Sequence, residues 1–139
     1  MSGGFVLDSR LEADTRHLTS LPLCDVRLMN DARFPWLVLV PRQPQLVELL
    51  DLSDEASATL WKEIRHIAAV LREIVPCDKI NIGALGNIVR QLHIHIVARK
   101  EGDAAWPGPV WGSGRAQPYG ADDLHSLAER LKRAMDVSG

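Results

Sequence analysis

Residues 87–100, NIVRQLHIHIVARK, place two histidines one residue apart in an apolar run, with a glutamine two positions upstream. In an extended segment successive side chains alternate between faces, so Leu92, Ile94 and Ile96 share one face while Gln91, His93, His95 and Val97 share the other. Neighbours on one face stand roughly 6–7 Å apart along a strand. An unperturbed imidazole titrates near about pH 6.5, and at neutral pH it serves either as an uncharged nucleophile or as an acid. Three chemistries fit the pair. They are structural histidines tied to nearby loops, two ligands of a metal whose third ligand the sequence does not identify, or a nucleophile with a helper acting at phosphorus or carbonyl carbon. The preceding segment NIGALGNIV (81–89) favours the third. Gly83 and Gly86 permit a tight turn, Asn87 brings amide donors near His93, and free N–H groups in such a turn suit phosphate oxygens.

The elements that must position these residues follow from periodicity. CDVRLMN (24–30) alternates Cys24, Val26 and Leu28 with Asp25, Arg27 and Met29, the pattern of a strand with one mostly polar face. WLVLVP (36–41) is a continuous apolar run ended by a proline, which predicts a strand buried on both faces. The short linker between them predicts antiparallel neighbours. Ser53 caps a helix that runs to about Ile74, with Leu60, Ile64, Ile67, Leu71 and Ile74 on one stripe and Pro76 beyond its end. DKINIGA (78–84) and QLHIHIVAR (91–99) predict two further strands around the turn ALGN. A second amphipathic helix covers about Asp122 to Met135, striped by Leu124, Leu127, Leu131 and Met135. Strands, helix, strands, helix is the order of an α+β domain with helices against a mainly antiparallel sheet.

A chain of 139 residues fits a single domain, 1–139, whose core needs no metal or disulfide. With 16 basic and 18 acidic residues and a net charge of −2, nothing marks nucleic-acid or membrane binding, although small anionic ligands remain open. Cys24 and Cys77 form no metal-type or redox-type pair, which favours a reduced, cytoplasmic setting without excluding a disulfide. The N-terminal residues lack the apolar core of a secretory leader, and no segment approaches the length of an apolar membrane span.

The stretch GNIVRQLHIHIVARK resembles the signature of the histidine triad (HIT) family, in which a glycine and an amide residue lead into three histidines separated by apolar residues. His93 falls on the central histidine, the family nucleophile, and His95 on the third. Gln91 stands where the first should be. Asn87 matches an amide near the phosphate, with Ile88 and Val89 beside it, and Asn81 matches an upstream amide position after a one-residue deletion. VRLMND and LVLVPRQP look like the strands that hold the ribose and lead to the main helix, so Asn30 and Asp31 fall on ribose contacts. Phe5 with Leu11 looks like the segment that packs near the base.

The resemblance implies an α+β fold with a five-stranded antiparallel sheet, a long helix and a C-terminal helix, usually as a homodimer that binds a purine nucleotide. It implies cleavage at the α-phosphate through a nucleotidyl-histidine on His93, with no metal or cofactor, while the charge balance and the lack of an apolar span predict no nucleic-acid or membrane partner. His95 and the glycine turn would hold the non-bridging oxygens. Gln91 can donate a hydrogen bond but no proton, which directs the chemistry to phosphate-type leaving groups such as those of dinucleoside polyphosphates. A nucleotide-binding or regulatory module with weakened catalysis is the alternative function. A purely structural protein would bind no nucleotide. His17, His66 and His125 fit surface or boundary positions, and WPGPVWG (106–112) holds Trp106 and Trp111 either over the sheet or dimer edge or beside the nucleotide.

Overall fold

The apolar run at 36–41 becomes the middle strand of the sheet, buried at all six positions. The computed structural model describes residues 4–138. In chain order they form α1 (Ser9–Asp14), β1 (Thr15–Ser20), β2 (Cys24–Met29), β3 (Trp36–Pro41), a 3-10 turn (Leu49–Asp51), α2 (Asp54–Ile74), β4 (Lys79–Gly83), β5 (Ile94–Arg99) and α3 (Ala121–Ser138). The strands lie in the order β1-β2-β3-β5-β4, every pair antiparallel. The sheet is thus five-stranded and antiparallel, with a long helix and a C-terminal helix, as the resemblance implies; the sequence pattern accounts for four of the strands and both of these helices. Among the described residues no helix is long and apolar enough to cross a membrane.

Alternation divides the sheet between two apolar clusters. Cys24, Val26 and Leu28 of β2, Leu37 and Leu39 of β3, and Ile94 and Ile96 of β5 pack with the stripes of α2 and α3. Trp36, Val38 and Val40 with Val97 face the other way, where Leu11, Phe34 and Val110 cover them. That second face carries His95, two residues from Val97 along the strand. Ser53 Oγ accepts from the Ala56 N–H at 3.1 Å, which starts α2 at Asp54, and Val75 N–H closes the last turn on Leu71 O.

Two sequence expectations are corrected, and one segment gains elements the sequence pattern does not predict. The strand predicted at 91–99 begins only at Ile94, because the Leu92 N–H turns away to Leu46 O instead of joining the ladder. Arg27, assigned to a polar face, is buried: its Nε donates to Thr15 Oγ1 at 2.6 Å across the β1–β2 pair. The segment Ser9–Ser20, for which the sequence pattern predicts no element, forms α1 and the edge strand β1. The remaining strand and helix boundaries shift by three residues or fewer.

Helix α2 is fastened to the sheet by one buried carboxylate. Glu63 accepts from the N–H groups of Leu23 and Cys24, both at 2.9 Å, so two backbone donors at the head of β2 depend on it. Burial, and then the neighbouring Glu63 charge, raise the Cys24 thiol far above its ordinary range, which makes it an inert core residue. Glu63→Ala strips both donors of their acceptor and is expected to lower unfolding free energy by about 2–4 kcal/mol. Glu63→Gln, which keeps one acceptor oxygen, loses less. Urea denaturation of the three proteins measures the ranking.

Candidate active site

Strand register brings the histidines to their partners. In the β3–β5 ladder Trp36 stands opposite Val97 and Val38 opposite His95, so Trp36 is a diagonal neighbour of His95 on the same face. His93 lies just before the strand, and the two imidazole centroids are 4.8 Å apart with planes at 72°. Both rings are buried, with only 7% of His93 and 6% of His95 exposed.

The hydrogen bonds fix the proton on each ring. His93 Nδ1 is 2.7 Å from the carbonyl oxygen of Gln91, which can only accept, so Nδ1 carries a proton, and in the neutral ring the lone pair sits on Nε2. His95 Nδ1 is met at 3.0 Å by the indole N–H of Trp36, which can only donate, so here Nδ1 holds the lone pair and Nε2 carries the proton. The pair therefore presents one acceptor and one donor. Burial, reinforced by the neighbouring His93, holds His95 down to about 3 and keeps it uncharged at neutral pH.

Beside the rings lies a cleft of ≈ 410 Å³. One wall is the turn Leu85–Val89, in which Gly86 takes a left-handed φ of 73° that a side chain would strain. Val110–Gly114, Trp36, His95, Met29, Asp31 and Arg33 also line the cleft. Trp111 lies edge-on to both Trp36 and His95, at centroid distances of 6.4 and 5.5 Å. It reaches so close to β4 that a Cβ on Gly83 would stand 3.1 Å from its ring, which explains a glycine within that strand. The buried indole N–H of Trp111 has no partner among the described residues. His93 and Gly86 also border a smaller depression of ≈ 290 Å³ beside Val47–Leu50.

The candidate residues named from sequence fall into two groups. His93, His95, Asn87, Ile88, Val89 and Asp31 line the cleft. Asp31 is almost fully buried; burial opposes its charge, but bonds from the Arg33 guanidinium and the Arg33 and Gln117 N–H groups outweigh that and hold its pKa below the ordinary value. The others serve neighbouring structure. Asn30 Oδ1 accepts from the Tyr119 N–H at 2.9 Å, Asn81 Oδ1 accepts from Arg99 at 2.9 Å, and Phe5 packs on the apolar cluster that includes Trp36 and Val110. Gln91 turns to the N-terminal segment: its Nε2 donates to Val6 O and its Oε1 accepts from the Asp8 N–H, both at 2.8 Å. Both ends of that amide are therefore engaged.

Sequence reasoning passed over Trp36 and Arg33. Arg33 carried a local signal, two residues from Asp31 in a loop, and its guanidinium also bonds Ser113 O. Trp36 carried none, because only the strand register reveals what it faces. Of the tryptophans in WPGPVWG, Trp111 borders the cleft while Trp106 packs over Arg99. His17 and His125 are exposed, and His66 is half-buried in α2.

Residues 10–102 match the model of the HIT domain. The chain belongs to the histidine triad family. Solved structures of three bacterial histidine triad proteins share its fold along nearly their whole length. One from Sinorhizobium meliloti 1021 is 47% identical, with 96% of this chain and 99% of that one covered and a TM-score of 0.92. One from Bradyrhizobium japonicum is 46% identical, covering 94% and 98% with a TM-score of 0.91. One from Marinobacter aquaeolei VT8 is 41% identical, covering 99% and 100% with a TM-score of 0.94. No curated protein matches the sequence significantly. Among the described residues of this HIT protein no three His, Cys, Asp or Glu side chains come together as a metal-holding group.

The buried His95 carries a pH signature. Unfolded, its ring takes a proton below its ordinary 6.5; folded, it resists until about 3. Between those values the unfolded chain binds more protons, so stability declines as pH falls, by up to about 1.4 kcal/mol per pH unit from this group. In urea titrations from neutral to about pH 4, His95→Gln should show a shallower decline than the wild type. Parallel slopes would mean that His95 titrates normally in the fold.

Proposed function

We propose that this HIT protein hydrolyses a nucleotide derivative at its α-phosphate through a nucleotidyl-histidine intermediate on His93. The observation that carries the reading is the hydrogen bond from His93 Nδ1–H to Gln91 O, which commits Nδ1 as a donor and, in the neutral ring, makes Nε2 the nucleophilic nitrogen beside the cleft. Nε2 bonds to phosphorus as the phosphorus–leaving-group bond breaks, and water then releases the nucleoside monophosphate and restores the ring. His95 Nε2–H and N–H groups of the turn at Gly86–Ile88 hold the non-bridging oxygens. The nucleoside occupies the larger cleft, its base against Val89, Val110 and Trp111 and its ribose toward Asp31.

Leaving-group choice follows from Gln91. Its amide is spent on Val6 and Asp8, and it could not deliver a proton in any case. His95 is uncharged and supplies a hydrogen bond only. A phosphate-type leaving group departs as a stable anion under these conditions, whereas an amine needs a full proton. The substrate class is therefore a dinucleoside polyphosphate or nucleoside diphosphate derivative. In parallel assays, dinucleoside polyphosphates should be cleaved and nucleoside phosphoramidates should react about 10²–10⁴ times more slowly. His93→Ala should abolish turnover while monophosphate affinity stays within about tenfold. Binding without turnover in the wild type would instead support a nucleotide-binding module, and undiminished turnover in His93→Ala would remove that ring from the mechanism.

We further propose a homodimer joined along the β4 edge. β4 has one free side in the strand order, and exposed Leu49, Trp61, Ile82 and Leu85 surround it. Trp61 and Ile82 share a groove of ≈ 400 Å³ between α2 and β4. Sedimentation should show a dimer at tens of micromolar, and Ile82→Lys should shift it toward monomer.

A further inference from the structure

We propose that Trp36 is a positioning residue for the histidine pair: its indole N–H locks His95 in the Nε2–H tautomer, so that His95 offers a donor to the phosphoryl oxygens. The proposal deepens the hydrolase reading above, on which its kinetic arm rests; its spectroscopic arm stands without it.

The geometry leaves little freedom. Trp36 Nε1 lies 3.0 Å from His95 Nδ1, and both residues are buried, with 7% and 6% exposed. The indole cannot accept a hydrogen bond, so a proton on His95 Nδ1 would set two N–H groups against each other in a buried site. The indole is itself held. Phe34 packs edge-on at 6.4 Å on one side and Trp111 edge-on at 6.4 Å on another, while His95 makes a third edge contact at 5.6 Å. Its diagonal place across the β3–β5 ladder is what lets an aromatic side chain span to His95.

The tautomer decides what the substrate meets. With the proton on Nε2, His95 donates to an oxygen on which negative charge grows during attack by His93. With the proton on Nδ1, a lone pair would face that charge instead. Among the described residues the His95 ring has no hydrogen-bond partner other than Trp36, and the Nδ1 of His93 is engaged by Gln91 O. Trp36 contributes no atom to the reaction and acts entirely through His95.

The test replaces the N–H and keeps the shape. Two variants of the full chain are compared with wild type: Trp36→Phe, and Trp36 replaced by benzothienylalanine, a near-isostere with sulfur in place of N–H. Long-range ¹H–¹⁵N spectra of the histidine rings report the tautomer in the absence of substrate. Wild-type His95 should show an unprotonated Nδ1 and a protonated Nε2, and both variants should show exchange between tautomers. Turnover of a dinucleoside polyphosphate should fall tenfold or more in kcat, bounded by the roughly 10²–10³ lost when an oxyanion donor is removed, with KM changed less than threefold. In a His95→Ala background the isosteric replacement should change kcat less than twofold. A wild-type His95 protonated at Nδ1, or an unchanged tautomer in the isostere, overturns the proposal. So does a kcat loss of equal size with and without His95. If no variant or wild type turns over any substrate, the hydrolase reading fails while the tautomer measurement still decides the role of Trp36.

Discussion

The pairing of β3 with β5 is the constraint on which the site depends. Its register puts Val38 opposite His95 and sets Trp36 diagonally across, so one ladder supplies both the ring and the donor that defines its proton. A slip of one residue would turn His95 into the cluster beneath α2 and expose Ile94 or Ile96 in its place. Burial of β3 at every position resists that slip, because both faces of the strand are committed to apolar neighbours. The chemistry of the cleft is in this sense a by-product of how the core packs.

Dryness is the second requirement. Trp111 packs edge-on against His95, and the absent side chain at Gly83 is what lets that indole settle against β4. A dry imidazole stays uncharged, and hydrogen bonds made in such surroundings are electrostatically stronger than they would be in water. The same enclosure sets the cost: each buried ring nitrogen needs a partner, and Gln91 O and Trp36 Nε1 are those partners. Gln91 links two parts of the molecule at once, since its backbone oxygen orients His93 while its side chain fastens residues 6 and 8. The residue at the unusual position of the histidine motif is thereby absorbed into the frame of the site.

The sequence by itself determined the pattern. Period-two and period-3.6 apolar spacing identified β3 at its true bounds and α2 within a residue, because burial on a sheet or helix leaves a local signature. The spacing of His93 and His95 behind a glycine turn singled out the pair that the fold sets beside the cleft, since imidazoles on the face opposite an apolar strand core need a reason to be there. Only the tertiary structure decided what those rings touch. Trp36 is 59 residues from His95, and Gln91 lies 83 and 85 residues from the backbone atoms its amide engages. Segment 9–20, for which the sequence pattern predicts no element, forms α1 and β1, with Leu11 and Leu18 packed into the two apolar clusters. A local pattern records which face of an element is dry, whereas hydrogen bonds between distant segments depend on strand register and loop docking, and these are set by the packing of the whole chain.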